Sequence, residues 1–289
     1  MTIVTPPAPP APPVPGPQTP PPAGPTGPSS AARVVAILAI VVGGLVVVGT
    51  VASAVVSTAA AASTQTSTRT LPVDGVEDLD LDLAAGDLRV EFADVQDAQL
   101  EVTSSYGADR WTLRRDGSEL VVASPDWRTG WFGNWFGSNG TAVLRLPQQL
   151  AGLDADLDVS AGDLDVAGDF ADLELTVGAG RLEVRGSADD LSADISAGRA
   201  DLDIADARSA DLHVSAGQLV TTLTGRQPEE ITLDVSAGAL ELAVPQGEYR
   251  VTSDVSAGSF DNRIGSTPSA SSTVDVTVSA GSAELRAGR

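Results

Sequence analysis

Carboxylates are the side chains of this chain with the greatest capacity for chemistry. Asp and Glu together number 39 among 289 residues, whereas histidine occurs once and cysteine is absent. The absence of cysteine excludes disulfides, thiolate nucleophiles and cysteine-ligated metals. Clustered carboxylates can act as acid–base pairs or bind Ca²⁺, so their spacing decides between a catalytic site, a metal site and a solvated surface.

The spacing of the carboxylates favours a solvated surface, because they recur at the period of a repeat. His213 shares one of their columns, so we expect a surface residue and not a general base. No nucleophile elbow, phosphate loop or zinc spacing occurs. We predict no catalytic residue, no cofactor and no enzyme; a carbohydrate-active enzyme is the least favoured alternative. The two columns are Asp82, Asp158, Asp194, Asp234 and Asp254, and Asp165, Glu183, Asp201, Glu241, Asp261 and Glu284.

Calcium binding is the metal chemistry that such columns would support. Carboxylates in rungs stacked about 4.8 Å apart repel by roughly 1 kcal/mol in water, which Ca²⁺ would relieve at Asp158 or at Asp165, Glu183 and Asp201. Screening by salt is the simpler explanation. The calcium motif of solenoids, Gly-Gly-x-Gly-x-Asp, is also absent, so we predict no metal site.

The element that positions the carboxylates is one phrase: apolar, polar, apolar, small, Ala, Gly, any residue, apolar. Apolar and polar residues alternate around each glycine, which indicates short strands with one buried face. Steps of 18 to 23 residues from Gly162 onward predict an all-β fold, a single-stranded β-helix (β-solenoid) with rungs of about 20 residues. A meander of hairpins is the alternative. The glycines are Gly86, Gly162, Gly180, Gly198, Gly217, Gly238, Gly258 and Gly281.

The alternation changes parity at each glycine, which indicates a corner with one extra residue. We expect the glycine to supply a positive φ there. We expect the alanine before it to occupy a tight inner corner where a larger side chain would clash.

The first 73 residues differ from the rest. Residues 1–32 contain 13 prolines and no acidic residue, which predicts a disordered tail. Residues 33–57 contain the uncharged run Val34 to Val56, long enough for a transmembrane helix, and 58–73 would be a linker. Arg33 favours a cytoplasmic N-terminus and an extracytoplasmic C-terminal domain, hence a single-pass plasma-membrane protein. A cleaved leader with secretion of the product is the alternative.

Residues 74–150 contain strand patterns but no copy of the phrase after Gly86, so we expect degenerate rungs or a cap before the regular repeats at 151–289. The pair Asp116-Gly117 predicts a hairpin. That hairpin would pair Leu113 with Leu120 and Trp111 with Val122.

An aromatic, glycine-punctuated loop at 127–136 interrupts this region. It either folds back as a plug over the solenoid end or presents a sticky interaction surface. We take it as the candidate interaction loop, with five aromatic residues: Trp127, Trp131, Phe132, Trp135 and Phe136.

The order of these features resembles a known family. One membrane span, the hairpin Leu-Arg-Arg-Asp-Gly-Ser-Glu-Leu-Val-Val, the strand Val-Leu-Arg-Leu-Pro and repeated Val-Ser-Ala-Gly-x-Leu are similar to the bacterial toastrack family. Its β-strand-repeat proteins are often labelled putative adhesins. The resemblance covers roughly residues 73–289. It implies a β-helix of the cell envelope that binds or scaffolds other components, often beside envelope-stress signalling, and it supplies no catalytic residue.

The sequence therefore predicts a membrane-anchored scaffold or binding protein. The loop 127–136 would be its contact surface and the acidic columns a secondary, salt-sensitive face. A surface adhesin recognising polysaccharide or protein is the alternative. The net charge of −22 excludes nucleic acid as a main partner. The rung of Gly281 is expected to be the uncovered solenoid end, through which the protein would self-associate.

Overall fold

The computed structural model describes residues 65–105, 107–125 and 140–288, and these form twenty strands and two 3₁₀ turns, Ala108–Arg110 and Gln148–Leu150. The strands are β1 (Gln65–Leu71), β2 (Asp78–Leu83), β3 (Asp87–Ala93), β4 (Ala98–Ser104), β5 (Thr112–Asp116), β6 (Glu119–Ala123), β7 (Thr141–Pro147), β8 (Leu153–Val159), β9 (Asp163–Val177), β10 (Arg181–Ser187), β11 (Asp190–Ile195), β12 (Arg199–Ala205), β13 (Ser209–Val214), β14 (Gln218–Thr224), β15 (Glu230–Val235), β16 (Ala239–Val244), β17 (Tyr249–Val255), β18 (Ser259–Asn262), β19 (Ser272–Val278) and β20 (Ser282–Ala287).

Two sheets form the walls of the solenoid, and each rung contributes one strand to each. Sheet A runs β1-β4-β7-β3-β9-β10-β12-β14-β16-β20-β18. Sheet B runs β5-β6-β2-β8-β9-β11-β13-β15-β19-β17. Strand β9 belongs to both, because its 15 residues continue around a corner. Neighbouring rungs in the middle pair in parallel and in register, which confirms the predicted all-β solenoid and excludes the meander.

One hydrophobic core lies between the two sheets. Equivalent residues of successive rungs stack directly, so that Leu157 lies beside Leu175 in sheet B and Leu164 beside Leu182 in sheet A. All four side chains are at most 1 % exposed. Each rung alone is too short to bury its apolar face, so the stack supplies the stability.

At both ends the order of the rungs in space differs from their order in the chain. The rung β19–β20 lies between β15–β16 and β17–β18. In the same way, β2–β3 lies between β6–β7 and β8–β9. The expectation that the rung of Gly281 forms the uncovered end is therefore wrong, since Gly281 joins β19 to β20. The end rung is β17–β18.

Polar residues at inward positions explain why β17–β18 is the end rung. Ser253 lies beside Val276, and Asn262 lies beside Leu285, in columns that are otherwise apolar over the neighbouring rungs. Burying either side chain without hydrogen-bond partners would cost free energy. At the end they stay accessible, and Asn262 Oδ1 accepts hydrogen bonds from the backbone N–H groups of Ile264 and Gly265 at 3.1 Å.

The opposite end is covered by the antiparallel strands β4 and β5, which form a cap over the rung β6–β7. Trp111 is 4 % exposed and packs beneath this cap. The hairpin β5–β6 forms, but its register differs from the prediction: Leu113 faces Val122, and Asp116 faces Glu119. The two-residue turn is therefore Gly117-Ser118, because the positive φ of +65° falls on Gly117, the first turn residue.

The corner glycines are required for a reason other than the predicted positive φ. Among the eight, only Gly86 has a positive φ, at +110°. A Cβ atom on Gly198 would lie 2.5 Å from both the carbonyl oxygen of Gly180 and Cγ1 of Val177. The backbone N–H of Arg199 also donates to Gly180 O at 3.0 Å. Glycine is thus needed because consecutive corners approach closely.

The alanines at the corners are solvent-exposed, so the predicted tight inner corner for them is wrong. These alanines project outward from the turn, and the glycine that follows each of them lies against the corner of the neighbouring rung. The exposed alanines are Ala161, Ala179, Ala197, Ala216, Ala237, Ala257 and Ala280.

The predicted tail at 1–32 and transmembrane segment at 33–57 lie outside the described residues. Within the described ranges, no helix has the length and apolar character needed to cross a membrane.

Candidate binding surfaces

The described residues on both sides of the predicted interaction loop lie at the corner of Gly86, and the residues of the loop itself are outside the described part of the chain. These residues are Trp127, Trp131, Phe132, Trp135 and Phe136. Before the loop, the backbone N–H of Ser124 donates to Asp82 O at 2.9 Å; after it, Asp87 N–H donates to Gly140 O at 3.1 Å. Both bonds reach the first corner, of Gly86. In the chain, the aromatic segment stands between β6 and β7, where other rungs carry the Ser-Ala-Gly phrase.

The acidic face is the outer surface of sheet B across its first four parallel rungs after β6. Strands β2, β8, β9 and β11 place carboxylates side by side at three successive outward positions. A shallow groove of about 530 Å³ runs over this surface. The face comprises Asp78, Asp80, Asp82, Asp154, Asp156, Asp158, Asp172, Glu174, Asp190 and Asp194.

Two carboxylates of the acidic face, Asp156 and Asp172, have a charged form that their surroundings disfavour. Partial burial, followed by the charges of Glu174 and Asp80, raises the pKa of Asp156 above its ordinary value. Partial burial, followed by the charge of Asp154, also raises the pKa of Asp172. Both shifts mean that the negative form is disfavoured here. A positively charged group would therefore be attracted to this part of the surface.

Among the described residues, an arginine pairs with the acidic face at its edge, whereas Asp156 and Glu174 at its centre have no arginine ion pair. Arg208 forms an ion pair with Asp190. The outer surface of sheet A is different, because arginines stand within its carboxylate columns. Arg89 bonds Asp165 at 3.2 Å, and Arg199 bonds Asp201 at 3.1 Å. The two walls of the solenoid thus differ in charge balance.

This difference decides between the two calcium ladders considered from the sequence. In the ladder on sheet A, Asp165 and Asp201 have the arginine partners just described, and Glu183 pairs with Arg185. Arginine already supplies the positive charge that Ca²⁺ would bring. On sheet B, Asp158 itself forms no ion pair with an arginine of the described residues, and in this part of the chain no group of three or more side chains is arranged to hold a metal.

Arg145, also on sheet A, pairs with two carboxylates at once. Arg145 donates to Glu91 and to Glu101, both at 3.0 Å. The hydrogen bond to Glu101, the largest cause, raises the pKa of Arg145. This cluster ties β7 to strands on both of its sides.

His213 lies on the outer face of sheet B, as predicted. Its side chain is half exposed, and its ring nitrogens lie 4.0 Å from carboxylate oxygens of Asp211 and Asp234. These distances are too long for hydrogen bonds, so the ring is not held in the manner of a catalytic base.

Sequence reasoning missed the middle column of the acidic face. The two columns read from the sequence did not include Asp80, Asp156 or Glu174, which lie six residues before their corner glycines. The signal was available in the alternation itself, since these positions are the next outward ones before Asp82, Asp158 and Thr176.

Solved structures similar to this chain are putative adhesins and cell adhesion proteins, as the resemblance predicted. A putative cell adhesion protein from Clostridium sporogenes is 9 % identical, covers 78 % of this chain and 100 % of its own, and has a TM-score of 0.35. A putative adhesin from Bacteroides fragilis is 14 % identical, with coverages of 78 % and 98 % and a TM-score of 0.44. A putative lipid binding protein from Parabacteroides distasonis is 11 % identical, with coverages of 79 % and 98 % and a TM-score of 0.43.

At these identities the similarity concerns the arrangement of strands and says nothing about ligands. No family model matches the chain. No curated protein matches it either.

Proposed function

We propose that this chain is a binding or scaffold protein of the bacterial cell envelope, without catalytic activity. The predicted helix at 33–57 would anchor it in the plasma membrane, with residues 1–32 in the cytoplasm and the solenoid outside. The resemblance also implies a link to envelope-stress signalling. The observation that carries the binding role is the centre of the acidic face, where Asp156 and Glu174 have no arginine ion pair among the described residues, in contrast to Asp165 and Asp201 on sheet A.

The physical basis is relief of repulsion between neighbouring carboxylates. Two charges in adjacent rungs, about 4.8 Å apart, repel by roughly 1 kcal/mol in water. A basic segment of a partner protein that lies along the rungs would offset several of these carboxylate–carboxylate repulsions at once. Because the face is exposed, the attraction is screened over about 8–10 Å at ordinary salt, and binding should weaken as salt rises.

Photocrosslinking in intact cells tests this proposal. A crosslinking residue is placed in the full chain at position 156 on the acidic face, at 131 in the aromatic loop, or at 203. Position 203 is a matched control, because Asp203 is also an exposed outward carboxylate but lies on sheet A. We expect membrane-protein adducts from 156 and 131, lost at 156 when Asp172→Asn and Glu174→Gln remove neighbouring charge. Equal adducts from 203, or none at 156 and 131, would contradict the proposal.

An adhesin that recognises polysaccharide or protein is the second candidate. It is favoured by an open cavity on sheet A that contains an arginine without a carboxylate partner, described in the next subsection. Adducts with cell-wall glycan or with foreign surfaces, in place of membrane proteins, would support the adhesin.

Self-association is proposed at the β17–β18 end. In the described part of the chain β17 pairs only with β19, and β18 only with β20, so one edge of each strand faces away from the stack. Val255, an inward residue of this rung, is 40 % exposed. Light scattering over a concentration series should show a dimer that Val255→Asp abolishes. A monomer at all concentrations would refute it.

A further inference from the structure

An open cavity of about 820 Å³ lies on the outer surface of sheet A, lined by residues of β14 and β20 and by Pro245 and Gln246, which follow β16. It has no counterpart in the repeated phrase, because it depends on residues peculiar to these rungs. The polar side chains that line it are Thr222, Thr224, Gln246, Arg263, Glu284 and Arg286.

Two residues of the cavity, Thr222 and Arg286, belong to one outward column of sheet A. In register across the sheet, Thr222 lies beside Ala243, and Ala243 lies beside Arg286. In the earlier rungs this column holds Arg185 and Asp203. Ala243 is only 1 % exposed and does not line the cavity, which is bounded by the longer side chains of its neighbours and by Pro245 and Gln246 after β16.

The charges in the cavity leave one guanidinium available. Arg263 Nε lies 2.9 Å from Asp261, and its Nη1 lies 3.0 Å from Glu284, so Arg263 is already shared between two carboxylates. Among the described residues, no carboxylate lies within ion-pair distance of Arg286. Glu241 is next to Glu284 in its column but does not line the cavity. A chain of net charge −22 thus presents an uncompensated positive charge inside a concave site.

We propose that this cavity binds a polyhydroxylated anion, meaning a carboxylate or phosphate flanked by hydroxyl groups, as in an acidic saccharide or a glycerol phosphate. The planar guanidinium of Arg286 suits bidentate contact with a carboxylate or phosphate. The hydroxyls of Thr222 and Thr224 and the amide of Gln246 are donors and acceptors suited to sugar hydroxyls. The volume lies within the range of small-ligand sites, roughly 300–1,000 Å³. The cavity is on sheet A, opposite the acidic face of sheet B, so the test of this proposal does not depend on the proposed scaffold role.

Isothermal titration of the full chain tests the proposal with three probes. Trigalacturonate supplies carboxylates among hydroxyls, glycerol 3-phosphate supplies a phosphate beside hydroxyls, and maltotriose is the uncharged match. We expect one of the two anions to bind at least tenfold more tightly than maltotriose. Binding of trigalacturonate assigns the carboxylate source, and binding of glycerol 3-phosphate assigns the phosphate source. Failure of both anions to bind at millimolar concentration overturns the proposal.

Two variants separate the cavity from general surface charge. Arg286→Gln should weaken binding of the anion at least tenfold, and Arg286→Lys, which keeps the charge but loses the fork, should weaken it less. Arg181→Gln is the matched control: Arg181 is an outward residue of sheet A, has no ion-pair partner among the described residues, and lies outside the cavity. It should change affinity less than twofold. Equal losses in Arg286→Gln and Arg181→Gln overturn the proposal, provided that both variants melt as the unmodified chain does.

Discussion

Thr221 is a buried hydroxyl whose removal should stabilise the solenoid. Its side chain is 0 % exposed and faces the core between Leu202 and Leu242 of the neighbouring rungs. Its Oγ1 has no hydrogen-bond partner among the described residues. Valine has the same shape without the hydroxyl, so Thr221→Val removes an unsatisfied polar group and opens no cavity.

The magnitude follows from the cost of leaving a polar group buried and unpaired. That cost is about 1–3 kcal/mol, so we expect Thr221→Val to raise the free energy of unfolding by about 1–2 kcal/mol. For a domain of this size each kcal/mol corresponds to about 2–4 °C, so Tm should rise by about 2–8 °C. Urea unfolding of the full chain followed by circular dichroism, together with a thermal melt, measures both quantities.

Two matched variants make the test specific. Thr222→Val changes the next residue, which points outward, and should alter stability by less than about 0.5 kcal/mol. Val184→Thr places a hydroxyl at the equivalent buried position two rungs away and should cost about 1–3 kcal/mol. If Thr221→Val is neutral or destabilising while Val184→Thr costs what is expected, then Thr221 is not an unpaired group and the reasoning is refuted.

Three further predictions concern the corners and the acidic face. Gly198→Ala should lower the free energy of unfolding by at least about 3 kcal/mol, because the added Cβ would collide with the backbone at the corner of Gly180. Gly152→Ala, where φ is +86° and no atom lies within 4 Å of the added Cβ, should cost only about 1–2 kcal/mol. Equal losses of stability in urea unfolding would contradict the close-approach explanation. Asp156→Asn should stabilise the fold at pH 7, because the folded state raises the pKa of Asp156 and the charged carboxylate is therefore destabilising. This advantage of Asn should vanish as the pH falls through that pKa to about 4, where the carboxyl group is protonated in both states. The control Asp165→Asn, which loses the ion pair with Arg89, should not stabilise the fold. Millimolar Ca²⁺ should shift Tm no more than NaCl of equal ionic strength, and a clear excess shift lost in Asp158→Asn would restore the calcium ladder.

Much of the fold could be predicted because the repeat carries it. Alternation of apolar and polar residues around Gly162 to Gly281 specified short strands, and the period of about 20 residues specified rungs. The outward position of His213 followed from the same columns. The hairpin register could not be predicted as reliably, because Asp116-Gly117 and Gly117-Ser118 are both acceptable turn pairs. The contacts of Leu113 and Trp111 with the rest of the cap select the second.

The candidate surfaces were less predictable than the fold. The sequence shows where carboxylates recur but not which of them an arginine reaches, since Arg89 and Asp165 are 76 residues apart. The cavity of Arg286 combines residues from four segments of the chain, around Thr222, Gln246, Arg263 and Arg286, so no local sequence pattern predicts it.

By itself the sequence determined the building unit: a two-strand rung with a glycine corner, an apolar interior and an acidic exterior. Those properties are local, because they depend on period-two alternation and on the identity of one residue per turn. Tertiary structure alone decided how the units are ordered. The rungs β17–β18 and β19–β20 have equivalent corners and fit the same columns, so either could have followed β15–β16. The order is set by which rung can be enclosed on both sides. Enclosing β17–β18 would bury the polar side chains of Ser253 and Asn262, and the free-energy cost of that burial keeps this rung at the end.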